Sequence, residues 1–147
     1  FHISVGVYPE CHPQSDTLQD DLKHFKHKVD QGADCAITQY FYNADAYYDL
    51  LEHCAKLNIN IPIVPGIMPI TNYSQLARFS GICGAEIPQY LRKRFIGLGD
   101  DVAAVKAYGV EVVTRLCERL IELGAPDLHF YTLNKLEATQ QIVENLQ

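Results

Sequence analysis

The chain has 147 residues, enough for one hydrophobic core, and 48% of them are apolar. Its formal net charge is −6 and its twelve basic residues are scattered, so no basic block points to nucleic acid or an anionic membrane. There is no apolar run of about 18 residues and no signal peptide, and the five irregularly spaced cysteines, without a C-x-x-C pair, read as reduced thiols of a cytoplasmic protein.

Residues 2–8 set Ile3, Val5 and Val7 against Ser4, Gly6 and Tyr8, an alternation that predicts a strand. The loop Pro9-Glu10-Cys11-His12-Pro13 follows. Thr17 and Asp20 resemble a capping pair for a helix whose buried face is Leu18, Leu22, Phe25 and Val29, with Gly32 as its stop. Residues 35–41 form the second strand. Asn43 caps the next helix, which turns Tyr47, Leu50, Leu51, Cys54 and Leu57 inward. Residues 61–68 read as a third strand, weakened by Pro62 and Pro65, each of which removes a ladder donor. Helices are expected over residues 71–79 and 88–95, the second with Pro88 in its first turn. A long helix over residues 102–123 places Val105, Gly109, Val112, Leu116, Leu120 and Leu123 on one face and ends at Gly124 and Pro126. Residues 128–133 form a fourth strand, and Asn134 with Glu137 makes a capping-box pattern for the last helix.

Strands alternating with helices predict an α/β fold with a parallel sheet and right-handed crossovers. Four βα units make either a small open sheet or half of an eight-stranded barrel, and periodicity does not separate the two. A complete (β/α)₈ barrel needs about 250 residues. The chain opens at Phe1 inside a strand pattern and its only methionine is Met68, so residues 1–147 read as one domain segment of a longer protein.

Four segments carry more specific information: Val7-Tyr8-Pro9-Glu10-Cys11-His12-Pro13, Ala36-Ile37-Thr38-Gln39-Tyr40-Phe41, Ile63-Val64-Pro65-Gly66-Ile67-Met68-Pro69-Ile70 and His129-Phe130-Tyr131-Thr132-Leu133-Asn134. In this order, each at a strand end, they resemble the C-terminal half of methylenetetrahydrofolate reductase over essentially the whole chain. The resemblance implies strands five to eight of a TIM barrel that binds FAD. It implies reduction of 5,10-methylenetetrahydrofolate to 5-methyltetrahydrofolate by NAD(P)H, in one-carbon and methionine metabolism. It also implies homo-oligomers as the usual assembly, and a missing N-terminal half of the barrel as the partner of this segment.

By the same resemblance, Tyr8 and His12 match positions that line the flavin. Asp21, His24, His27 and Lys28 match positions on the first helix that meet the adenosine and pyrophosphate. Their spacing puts them on a common stripe, which also reads as a solvated polar face. The family commonly has Asn and Arg where this chain has His24 and His27, and a histidine of reference pKa about 6.5 is mostly neutral near pH 7. Phosphate binding is therefore expected to be weaker or more pH-sensitive. Gln39 matches a residue that bonds the substrate heterocycle, and it also reads as a glutamine satisfied by nearby backbone. Gln75 matches a substrate contact, Phe79 a ring that stacks on flat ligands, and Tyr131 and Lys135 the folate end of the pocket. Lys135 stands where the family commonly has Arg, and lysine lacks the planar fork. One pocket serving two flat substrates in turn, with Gln39 and Phe79 shared, predicts ping-pong kinetics.

Glu10 is a strand-end carboxylate, but the family's general acid lies on the first barrel strand, so no catalytic residue is assigned in this segment. Cys11-His12 suggests metal or thiolate chemistry, yet no further ligand stands nearby in sequence. A phosphate-binding aldolase or epimerase would want a Schiff-base lysine or an acid/base pair at the strand ends, and neither is visible. A non-catalytic half-barrel, inert until its complement joins it, is the rival reading.

Overall fold

The alternation of Ile3, Val5 and Val7 with smaller or polar residues does produce a strand. In the computed structural model, which describes residues 1–147, β1 (Ser4–Val7), β2 (Cys35–Thr38) and β3 (Ile63–Val64) form a parallel sheet in that order. Ser4 pairs with Cys35 and Val7 with Thr38, and Ala36 pairs with Ile63. A second parallel pair joins β4 (Gly66–Ile67) to β5 (His129–Phe130).

The expected third strand, residues 61–68, is thus two strands in two sheets. Pro65 breaks it, because proline offers no ladder donor. The Pro65 carbonyl instead accepts from the His129 N–H at 3.0 Å. The Gly66 N–H turns to the Thr38 Oγ1 at 2.8 Å, so one threonine side chain joins the two sheets. Thr38 and Gly66 are both buried. Thr38→Val keeps the shape and removes the acceptor, stranding a buried N–H. It should cost about 1–3 kcal/mol, read as a lower urea midpoint at unchanged slope.

The helices follow their caps. Thr17 accepts from the Asp20 N–H and starts α1 (Leu18–Asp30), which buries Leu22 and Phe25. Asn43 caps α2 (Ala44–Lys56), burying Tyr47, Leu50 and Cys54. The helix expected over residues 71–79 is α3 (Tyr73–Cys83), because Asn72 caps it by accepting from the Gln75 N–H and Gly84 ends it at φ 70°. In α4 (Gln89–Leu98), Pro88 stands just ahead of the first turn. α5 (Val102–Glu122), capped by Asp101, buries the expected Val105, Gly109, Val112, Leu116 and Leu120, and Val110, Val113 and Cys117 besides. Leu123 is only half-buried.

The expected Asn134–Glu137 capping box does not form. Leu133 and Asn134 adopt φ of 49° and 60°, which turns the chain out of the N-cap geometry. α6 (Glu137–Asn145) starts after Leu136 with no side-chain cap. The expected strand over residues 128–133 shortens to the two residues of β5, since the chain turns at Thr132, whose carbonyl accepts from the Lys135 N–H at 2.9 Å.

The register divides the three-stranded sheet into unlike faces. Val7, Ala36, Thr38 and Ile63 are buried, the apolar three within the core that includes Leu22, Phe25, Leu50 and Cys54. On the other face Ser4 and Gly6 are exposed and Cys35, Ile37 and Val64 are half-buried. Parallel sheets are normally covered on both faces, so this open face is the unusual feature of the fold. No helix is long and apolar enough to cross a membrane.

Candidate functional site

Parallel strands end on one side, and ligand sites in βα folds gather there. The segment Met68–Asn72 leaves β4 at that side and Tyr131 and Thr132 leave β5 beside it. Together with Gln75, Leu76 and Phe79 of α3 and with Lys135, they line one cleft. Gln75 and Phe79 are one helical turn apart and both half-buried. Lys135 is exposed, and the chain's ion pairs do not involve it. Its ammonium is free for an anionic ligand.

Tyr131 is fixed from two sides. Its hydroxyl donates to the Thr38 carbonyl at 2.9 Å, and its ring lies against Gly66, where a Cβ would sit 2.6 Å from the Tyr131 Cε2. The hydroxyl is spent, so Tyr131 offers the cleft its ring. Burial, and then the nearby Tyr8 phenol, push its pKa above the ordinary tyrosine value.

Gln39 is placed differently from Gln75, Phe79, Tyr131 and Lys135. It does not line the cleft. Its Oε1 accepts from the Tyr40 N–H at 3.0 Å, and its own N–H donates to the Val7 carbonyl at 2.8 Å. It sits one residue beyond Thr38, whose carbonyl accepts from Tyr131, and its amide oxygen is satisfied locally.

The residues matched to the flavin form a second group. The Tyr8 and His12 rings meet edge to face, centroids 4.5 Å apart. The His12 N–H donates to Asp21 at 2.9 Å, and Ser15 donates to the other Asp21 oxygen at 3.4 Å. The Gln14 N–H donates to the His12 Nδ1 at 3.0 Å, which leaves the ring proton on Nε2. Lys28 donates to the Gly6 carbonyl on β1 at 3.0 Å. Tyr8, His12 and Asp21 thus come together, and Lys28 reaches β1 two residues before Tyr8. His24 and His27 stay exposed on α1.

Residues that sequence reasoning passed over also shape this side. Tyr40, buried, shares a 3.0 Å hydrogen bond with Ser80 of α3, and Tyr42 donates to the Met68 carbonyl at 3.1 Å. The only signal for them was an aromatic run, Tyr40-Phe41-Tyr42, directly after a strand. Glu10 accepts from the Glu86 N–H at 2.9 Å. Burial raises its pKa above the usual 4.5, the bond to the Glu86 N–H opposes this and the Glu86 charge adds to it. A carboxyl with a raised folded-state pKa contributes stability below about pH 4.5 that is lost as pH rises through the folded value. Glu10→Gln keeps an acceptor for the Glu86 N–H, so the variant should melt higher than the parent at pH 7. The gap should close near pH 4, and thermal unfolding at the two pH values checks this.

Three of the thiols are held in their unreactive protonated form. Burial pushes Cys54 to about 11 and Cys117 to about 12. Cys11 is also raised, by burial and then by Asp21, and its Sγ donates to the His12 carbonyl at 3.6 Å. No group of three His, Cys, Asp or Glu side chains converges within this chain, Cys11 and His12 included.

The sequence model of the methylenetetrahydrofolate reductases matches residues 1–147. The 5,10-methylenetetrahydrofolate reductase of Buchnera aphidicola subsp. Schizaphis graminum is 42% identical over 142 residues, covering 97% of this chain and 49% of the relative. The enzyme of the same name in Escherichia coli K12 is 38% identical over 146 residues, covering 99% and 49%. Methylenetetrahydrofolate reductase (NADH) 1 of Arabidopsis thaliana is 40% identical over 155 residues, covering 99% and 26%. The chain spans about half the length of these bacterial relatives. Among solved structures, an uncharacterized protein from Clostridium thermocellum described as binding two copies of 5-methyl-5,6,7,8-tetrahydrofolic acid superposes with a TM-score of 0.62. It is 20% identical, and the match covers 99% of this chain and 52% of that one, a likeness of fold. With a family match along its whole length and relatives near 40% identity, this chain belongs to the methylenetetrahydrofolate reductase family.

Proposed function

We propose that this chain supplies strands five to eight of an FAD-dependent (β/α)₈ barrel that reduces 5,10-methylenetetrahydrofolate to 5-methyltetrahydrofolate with NAD(P)H. The observation that carries the reading is the cleft at the strand ends, where Gln75, Phe79, Tyr131 and Lys135 meet. The open sheet face and the half-length match to bacterial relatives support the half-barrel part of it. In that reading the open face is barrel interior, and the partner is the N-terminal half. The fold neighbour's ligand, 5-methyltetrahydrofolate, is the product named here. Five free thiols suit a cytoplasmic setting.

The residues fit the proposed cofactor. Tyr8 and His12 present adjoining rings, Asp21 an acceptor and Lys28 one cation beside β1. FAD, when bound, would supply hydride transfer between nicotinamide and folate. In this reading Phe79 stacks on flat ligands, Tyr131 and Lys135 hold the folate end, with Lys135 drawing its anionic group, and Gln75 donates or accepts at the heterocycle edge. The protein's share is positioning and exclusion of water. A general acid is expected from the N-terminal half.

The open face and the free edge of β1 favour a second statement, that the 147-residue segment alone is inactive. The test is to purify it alone and together with the N-terminal half of the Escherichia coli relative, and to record flavin absorbance, mass and methylenetetrahydrofolate-dependent NAD(P)H oxidation. Yellow, active protein only in the pair is the expected result. A colourless, inactive pair of correct mass would overturn the enzymatic reading, and a yellow, active segment on its own would overturn the need for a complement.

A further inference from the structure

A buried hydrogen bond joins the strand-end loop after β2 to helix α3, the helix that carries Gln75 and Phe79 of the cleft. Tyr40 is 5% exposed and so is Ser80. Their hydroxyls lie 3.0 Å apart, and the Cys83 Sγ lies 3.3 Å from the Tyr40 hydroxyl and 3.0 Å from the Phe79 carbonyl. Ser80 follows Phe79 directly, and Tyr40 follows Gln39, whose Oε1 accepts the Tyr40 N–H. Two residues on, Tyr42 donates to the Met68 carbonyl at the floor of the cleft. The Tyr40 and Tyr42 rings are 5.8 Å apart. One short segment therefore holds α3 with one phenol and the end of β4 with another.

A buried polar pair is an expensive way to pack a helix. An apolar pair of the same shape would serve as well for stability alone, since the net worth of a neutral hydrogen bond is small. What the pair adds is direction, because a hydrogen bond fixes distance and angle where apolar contact tolerates sliding. Burial raises the Tyr40 pKa well above the ordinary value, so the phenol stays protonated across the working range and the bond persists. No mobile side chain intervenes between the anchor and the site, since Ser80 and Phe79 are consecutive on one rigid helix.

We propose that Tyr40 is a positioning residue. Through Ser80 it sets where α3 stands against the strand ends, and so where Gln75 and Phe79 meet a folate. This rests on the folate reading of the cleft given above. Tyr40 touches no ligand itself.

Tyr47 supplies the control. It too is buried, and its hydroxyl donates to the Ile63 carbonyl at 2.8 Å, at β3 rather than at α3. Tyr40→Phe, Ser80→Ala, their double variant and Tyr47→Phe are to be made in the full-length protein that carries this segment. Two quantities are measured: 5-methyltetrahydrofolate affinity by calorimetry, and amide hydrogen exchange along residues 73–83. Tyr40→Phe and Ser80→Ala should each weaken the affinity about tenfold and speed exchange in α3, with the double variant no worse than either single. Tyr47→Phe should lower the melting temperature comparably and leave both readouts at the parent value. An affinity for Tyr40→Phe that is unchanged or tighter, or that tracks melting temperature across all variants including Tyr47→Phe, overturns the proposal while the folate reading stands. If the parent protein binds no folate, the folate reading falls. Exchange in α3 then decides the positioning role alone: selective acceleration in Tyr40→Phe supports it and its absence overturns it.

Discussion

Gly109→Ala is expected to destabilise the chain by about 3 kcal/mol and to disturb the candidate cleft from a distance. Gly109 lies on the buried face of α5. A Cβ there would stand 2.0 Å from the Ile70 carbonyl oxygen and 3.0 Å from the Ile70 carbonyl carbon. Both are backbone atoms of a buried residue, so no side chain can rotate away, and either α5 or the segment after β4 must retreat. Overpacking of this kind costs about 1–3 kcal/mol and sometimes more, and contact this close belongs at the upper end. Alanine's better helix propensity returns at most about 1 kcal/mol, so the clash decides the sign. Ile70 also lines the cleft, so ligand affinity should fall with stability. Urea unfolding checks the first effect, and a midpoint at or above the parent's would show that α5 does not approach this closely.

Gly66→Ala should have a comparable effect for a different reason. Its Cβ would stand 2.2 Å from the Thr38 carbonyl oxygen and 2.6 Å from the Tyr131 ring. The first contact is backbone and the second is a side chain held by its own hydrogen bond to that same carbonyl. Alanine therefore expels Tyr131 and still meets Thr38. A loss of about 2–3 kcal/mol is expected. The double variant Gly66→Ala with Tyr131→Ala should be less destabilised than the sum of its singles, because both remove the ring from the same place. Strict additivity by chemical denaturation would mean that the ring and Gly66 are not in contact.

Much of the architecture was legible in local signals. Thr17 and Asn43 cap the helices they were expected to cap, and Leu22, Phe25, Leu50 and Cys54 are buried as their 3.6-residue spacing required. Each of these statements involves residues within a turn or two of one another. The failures share the opposite character. The Asn134–Glu137 pattern is a valid cap on paper, but the route from β5 to α6 passes through two left-handed residues, Leu133 and Asn134, a path set by where the two elements dock. Gln39 is an open pair of readings rather than a failure: a ligand contact or a glutamine satisfied by backbone both fit the sequence, and the bond from the Tyr40 N–H to its Oε1 depends on side-chain direction.

Sequence alone settled the order of strands and helices, their parallel alternation and the helix faces that point inward. Periodicity and capping act over a few residues and need no knowledge of the rest of the chain. Tertiary structure decided that the third strand divides at Pro65 between two sheets, that the Tyr131 hydroxyl is spent on Thr38, and that Tyr40 reaches across to α3. Those outcomes depend on partners 28, 93 and 40 residues away in the chain, and a buried donor or acceptor chooses among such partners only once packing has brought them within reach.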